Sequence, residues 1–312
     1  MISNMDMEVP FIWTEALGCG EILDPMIRSY LAHHETPIHV IGYESDLKDL
    51  PKENRVIPMV IDDKGKNLNL KRSEIQLAYQ SGHKGTALLW TKIIKSRRED
   101  ILVHLDADNI FLGDVLSLLL EPMQKGYSIT GTRRPYRYRL SGSSFLHKTI
   151  HHFRRDCVNT HSFAFNRKHI ELREEVVMSF IEGRGRNKFS PYILPVIDFF
   201  DNLTFYLARK GKGAFYLDSE SQSRHGHHTR YGTMESRLIS FAAVGSGSAF
   251  YKNPSAKTSE SYKDFALRSY SLFSKYLLDK DIDYPMLESP YLVDLLSRLD
   301  KSTWTLKKAD GE

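Results

Sequence analysis

Over its first 130 residues the chain alternates short apolar runs with stretches of helical spacing, which leaves few folds open to it. Short apolar runs suit strands buried on both faces, and the longer segments between them suit crossover helices. Repeated, the pair is the signature of parallel βα units. Val9–Trp13 reads as a first strand ending at Thr14, followed by a helix over residues 21–34 and a strand Ile38–Ile41. Val56–Ile61 is a third strand, weakened by Pro58, and Thr86–Ser96 has helical spacing. Ile101–Leu105 is a fourth strand, Leu112–Leu120 an apolar helix and Tyr127–Gly131 a fifth strand. The pattern predicts an α/β fold with an open, mostly parallel sheet that takes ligands at the strand carboxyl ends.

Composition narrows the class. The 312 residues suffice for about two units or for one large α/β domain with additions, and 41% hydrophobic with 26% charged residues argues against disordered and fibrous chains. A net charge of +4 is too small for a general nucleic-acid binder. Two cysteines, Cys19 and Cys157, exclude a disulfide scaffold and a cysteine-rich metal knuckle. No apolar run is long enough to span a bilayer, which leaves peripheral membrane contact open. The start, MISNMDMEVP, has no signal-peptide pattern. A cytoplasmic protein is expected, in which the sequon Asn202-Leu203-Thr204 stays unmodified.

The second half is less regular. Residues 131–155 hold Arg133, Arg134, Arg137, Arg139, Lys148, Arg154 and Arg155 and no acid. Such a run is either a solvated loop or a basic flap that faces phosphates or an anionic acceptor. Ser162–Asn166 and Ala214–Leu217 read as strands, with helical spacing between them over Asp198–Arg209. Residues 262–301 read as two or three helices, which suggests a main domain over 1–250 and a helical extension over 251–312.

Asp106-Ala107-Asp108 carries the most chemical information. An apolar strand delivers two carboxylates, spaced two apart, to the edge where ligands bind, and in extended chain both face one way. Hard oxygens suit Mg²⁺ or Mn²⁺ held jointly with substrate phosphates. The plain alternative is a solvated turn or a helix cap.

The runs Lys84–Lys92 and Ile101–Val115, with that acidic pair at the strand end, resemble the GT-A glycosyltransferases. The likeness is clearest over 84–120 and extends loosely to about residue 232. It implies a Rossmann-like domain with a mixed, mostly parallel sheet, a nucleotide-sugar donor, a glycan or other hydroxyl acceptor, and Mn²⁺ or Mg²⁺ as cofactor. By that resemblance Asp106 and Asp108 serve the metal and the donor ribose-phosphate, and Lys84 and Ala107 fall among the donor positions. Thr14, Glu15, Ala16, Tyr43 and Glu44 match positions that touch base and ribose, with uridine favoured and guanosine or cytidine still open. Asn159–Arg167 is similar to the acceptor-side strand, although a glycine often present there is absent. Asp198 or Asp201 corresponds to the acidic helix start that supplies a general base in inverting members. His225, with His227 in reserve, corresponds to a third metal ligand, in a cluster flanked by Arg224 and Arg230.

Two readings compete with this one. An aspartyl phosphatase of the HAD type also uses a strand followed by Asp-x-Asp, the first Asp attacking phosphorus. Its motif normally lies near the N-terminus with Thr or Val two residues after the second Asp, whereas here Ile110 follows about a hundred residues of α/β chain. A non-enzymatic protein could bind anions through 131–155 alone. Neither accounts for Asp106, Asp198 and the His225 cluster together.

Overall fold

A computed structural model of the chain describes residues 9–17, 23–79, 84–107, 109–111, 113–135, 156–182 and 200–217, with short strands at 222–223, 230–231, 238–240, 299–300 and 305–306. Asp108, Asp198, His225 and His227 lie outside the described residues, as do all of 136–155 and nearly all of the suggested extension over 251–312. The first elements are β1 (Phe11–Ala16), α1 (Leu23–His33), β2 (Ile38–Gly42), α2 (Glu44–Leu47) and β3 (Val56–Val60). Next come α3 (Arg72–Tyr79), α4 (Lys84–Ser96), β4 (Ile101–Leu105), β5 (Asn109–Phe111), α5 (Leu116–Gln124), β6 (Ile129–Pro135) and β7 (Asp156–Asn166). A 3₁₀ turn over Arg167–His169 precedes α6 (Glu174–Glu182), α7 (Asp201–Leu207) and β8 (Ala214–Leu217). The short strands are β9 (Gln222–Ser223), β10 (Arg230–Tyr231), β11 (Leu238–Ser240), β12 (Leu299–Asp300) and β13 (Thr305–Leu306).

Seven strands form a mixed sheet in the order β3-β2-β1-β4-β7-β6-β8. The pairs β1/β2, β2/β3 and β6/β8 are parallel, and β6/β7 is antiparallel. This is the mostly parallel sheet with flanking helices that the sequence pattern predicts, and it is mixed, as the resemblance implies. The chain divides into two compact units. One gathers Met1–Ile12, Glu74–His104 and Leu116–Ser219; the other gathers Trp13–Ser73, Leu105–Val115 and Glu220–Glu312.

In the second unit, parallel pairing sets Ala16 opposite Gly42 and Gly42 opposite Val60, so three strands end level. A side chain at Gly42 would meet Leu47 Cδ2 at 3.0 Å and the Ala16 carbonyl oxygen at 3.1 Å, so the β1 and β2 ends approach too closely for a larger residue. Pro58 lies inside β3, which the sequence reading weakened on its account. The strand survives because it occupies the sheet edge, where a missing N–H costs no ladder bond. Helix α1 buries Leu23, Met26, Ile27 and Tyr30, the i, i+3, i+4, i+7 stripe of a core-facing helix.

The first unit is held around an aromatic cluster. Trp90 lies 4.4 Å from His104 and Phe163 4.3 Å from Phe200, centroid to centroid. Such tilted contacts add to the area that these rings bury. Glu174 of α6 pairs with Lys92 at 3.0 Å and Lys95 at 2.8 Å on α4, and those two ammonium groups hold its carboxyl below the usual range.

Several boundaries differ from the sequence reading. The fifth strand does not stop at Gly131 but bulges there and runs on to Pro135, with Arg133 opposite Val158 and Arg134 opposite Cys157. A Cβ at Gly131 would meet Val158 Cγ1 at 2.5 Å and the Ser162 carbonyl oxygen at 2.9 Å. The glycine thus admits a crossing neighbour instead of ending the strand. Its partner begins at Asp156, six residues before the expected Ser162. The basic run therefore starts in regular β structure, not in a loop. The helix expected over Leu112–Leu120 begins only at Leu116 and runs to Gln124, with Pro122 inside it.

Candidate active site

Asp106 follows β4 directly and is half-buried. A turn closes behind it: the Asn109 N–H donates to the Asp106 carbonyl at 3.2 Å. The chain then enters β5, which pairs antiparallel with β11 through Phe111 opposite Leu238, Ile110 opposite Ile239 and Asn109 opposite Ser240. Ala107 is buried within that turn. An acid thus stands at the carboxyl end of a sheet strand, the edge where α/β sheets commonly take ligands, on a backbone turn braced by a ladder.

The same unit holds the carboxyl ends of β1 and β2. Thr14 is fully buried, and its Oγ1 has no hydrogen-bond partner among the described residues. Glu15 is half-buried and Ala16 buried. Tyr43 sits just past β2 and precedes α2, its N–H donating to Asp46 Oδ2 at 3.0 Å. Burial pushes the Tyr43 phenol up to about 12, so it stays protonated at neutral pH. The Arg72 guanidinium lies 4.7 Å from the centre of its ring. One face of Tyr43 is thus covered by a cation, and Glu44, the next residue, is exposed. Neither Arg72 nor Asp46 stood out in the sequence. The mark of Asp46 was its spacing three residues past Tyr43, that of a capping box.

Lys84 is the first residue of α4, in the other unit. That unit also carries Asp201, the first residue of α7 and only 1% exposed. The residue before it, Phe200, is left-handed at φ 73, and its N–H donates to the Ile181 carbonyl at 2.7 Å. This break makes Asp201 the start of the helix, which the sequence reading placed at Asp198. Next to it Asn202 is 1% exposed, with neither amide atom hydrogen-bonded among the described residues.

Of the expected metal ligands only Asp106 is described, and no group of three or more His, Cys, Asp or Glu comes together among the described residues. Carboxylate oxygens and imidazole, the donor types that the resemblance implies at Asp106, Asp108 and His225, suit hard to borderline divalent ions such as Mg²⁺ or Mn²⁺. No described helix is long and apolar enough to cross a membrane.

No family model matches the chain, and neither does any curated protein. Among solved structures it is similar to mouse xyloside xylosyltransferase 1 in its apo form, with a TM-score of 0.42 at 12% identity over 67% of this chain and 85% of that one. It is also similar to galactosyltransferase LgtC in complex with donor and acceptor sugar analogs, with a TM-score of 0.45 at 14% identity over 82% and 94%. An active-site mutant of LgtC gives a TM-score of 0.46 at 12% identity over the same shares, 82% and 94%. At TM-scores under 0.5 these likenesses carry no weight on the activity of this chain.

Proposed function

We propose that the chain is a metal-dependent glycosyltransferase that moves a sugar from a nucleotide-sugar donor, a UDP-sugar by preference, to a hydroxyl of a glycan or similar acceptor. The observation that carries this reading is the half-buried Asp106 on its braced turn, in one compact unit with the level strand ends that bear Thr14, Glu15, Ala16, Tyr43 and Glu44. Asp106, Asp108 and His225 would hold Mn²⁺ or Mg²⁺. An ion held there would supply positive charge to offset the negative charge that builds on the departing diphosphate. The Thr14 hydroxyl and the Glu15 carboxylate are hydrogen-bonding groups suited to base and ribose, and Lys84 supplies a cation for the donor. If configuration inverts, Asp198 or Asp201 takes the acceptor hydroxyl proton as the oxygen attacks the anomeric carbon.

A stability panel tests the reading. UDP, GDP and CMP are each added with Mn²⁺, Mg²⁺ or EDTA, and the melting midpoint is read. A ligand specific for the native state raises stability by mass action, by about 2.7 kcal/mol at a hundred times its Kd. UDP with Mn²⁺ should raise the midpoint, EDTA should reverse the rise, and Asp106→Asn should remove it. A flat panel with all three nucleotides would overturn the proposal.

A further inference from the structure

We infer that His34 and Ser29, both on or beside α1, are positioning residues that fix the Asp106 turn through its backbone; this rests on the metal-dependent reading above. The stretch after β4 runs from Asp106 through β5 to Val115, and helix α1 grips it at two amides. The Phe111 N–H donates to Ser29 Oγ at 3.2 Å, and that hydroxyl donates in turn to the Met26 carbonyl at 2.9 Å. Four residues on, the Val115 N–H donates to His34 Nε2 at 3.1 Å. The opposite ring nitrogen, Nδ1, lies 2.9 Å from the Tyr30 carbonyl. A carbonyl only accepts and an amide only donates, so both contacts are satisfied by one tautomer, with the proton on Nδ1 and the lone pair on Nε2. The Phe111 ring closes the grip, edge-on to Tyr30 at 5.7 Å and to His34 at 5.2 Å.

The surroundings keep that tautomer in place. His34 is 4% exposed and stacks on Tyr30 at 4.6 Å. Burial pushes its imidazole down to about 4 and leaves it neutral at physiological pH. The charged or titratable groups facing it are the Asp114 carboxylate, 3.7 Å from Nε2, the neighbouring His33, the Tyr30 phenol and Arg55, whose Nη1 donates to the His34 carbonyl at 2.8 Å. Were Nε2 protonated, it would turn from acceptor to donor, lose Val115 and gain Asp114. A neutral His34 is therefore what holds Val115, and with Ser29 it holds the segment that carries the acid. Outer groups of this kind commonly decide how well a metal ligand is aimed.

The test uses the full chain and Mn²⁺ alone, followed by the electron-spin signal of the free ion. Amide exchange over residues 105–115 is measured alongside. His34→Asn keeps a group near Nδ1 but removes the Nε2 acceptor, Ser29→Ala removes the Phe111 acceptor, and His34→Gln places an amide oxygen near Nε2. His34→Asn and Ser29→Ala should exchange faster over 105–115 and bind Mn²⁺ about tenfold more weakly. His34→Gln should recover most of both. A merely structural histidine would change exchange without changing Mn²⁺ affinity, and that result overturns the inference while the transferase reading stands. If the native chain binds no Mn²⁺ that Asp106→Asn removes, the metal reading falls and the inference with it. Should His34→Asn lose protection throughout the chain, Ser29→Ala decides.

Discussion

Asp106 and His34 show how single side chains act through the groups around them. Replacing Asp106 by Asn keeps its shape and removes the negative charge a divalent ion needs. Metal-dependent transfer should fall by about 10²–10³-fold, the equivalent of several kcal/mol of lost charge stabilisation, with the circular dichroism spectrum unchanged. His34 makes a pH prediction with a definite sign. Its folded pKa, about 4, lies below the ordinary 6.5. Between those values the unfolded chain holds a proton that the folded one does not, so stability is full above the ordinary value and declines as pH falls toward the folded one. The loss is on the order of 3 kcal/mol, and denaturant midpoints across that window should flatten in His34→Gln. Gly131 is a steric case: Gly131→Ala sets a methyl against the Ser162 carbonyl oxygen at 2.9 Å and should destabilise by about 1–3 kcal/mol in urea unfolding.

Among elements, α7 and the basic run are the informative ones. Helix α7 starts at Asp201 because Phe200 is left-handed, and it buries Asp201, Asn202, Leu203 and Thr204 in succession. A general base here would be a desolvated one. Asp201→Asn or Asp198→Asn should lower kcat by about 10²–10⁴ with donor binding preserved, if product analysis shows inversion of configuration. Retention, or native rates in both variants, assigns the helix a structural role. The basic run begins within β6, where Arg133 is exposed beside the bulge at Gly131. Replacing Arg133, Arg134 and Arg137 by Gln should raise KM for donor or acceptor and leave the melting midpoint near native. Steeply salt-dependent duplex binding by the native chain would instead mark a polynucleotide site.

For the whole molecule, the arrangement of strands and helices within the two compact units sorts what was legible in the residues from what was not. The βα alternation made the parallel β1/β2/β3 pairs legible, because strand burial leaves an apolar run, and it placed Asp106 just past the end of β4. Local preference also located α1, α4 and β8 to within a few residues. The bulge at Gly131 was not legible, because a glycine that ends a strand and one that lets a neighbour cross look alike until Val158 and Ser162 are in place. Pro58 shows the same limit: whether a proline spoils a strand depends on whether that strand is at the edge, and the strand order alone decides it. The grip of Ser29 and His34 on Phe111 and Val115 spans about eighty residues of chain. On sequence alone His34 is one more residue of an apolar helical stripe. The sequence by itself thus determined the kind of sheet this chain builds and that an acid follows its fourth strand. Only the tertiary structure decided which side chains accept from the Phe111 and Val115 amides beyond the acidic turn, since hydrogen bonds between distant segments obey geometry that no local pattern encodes.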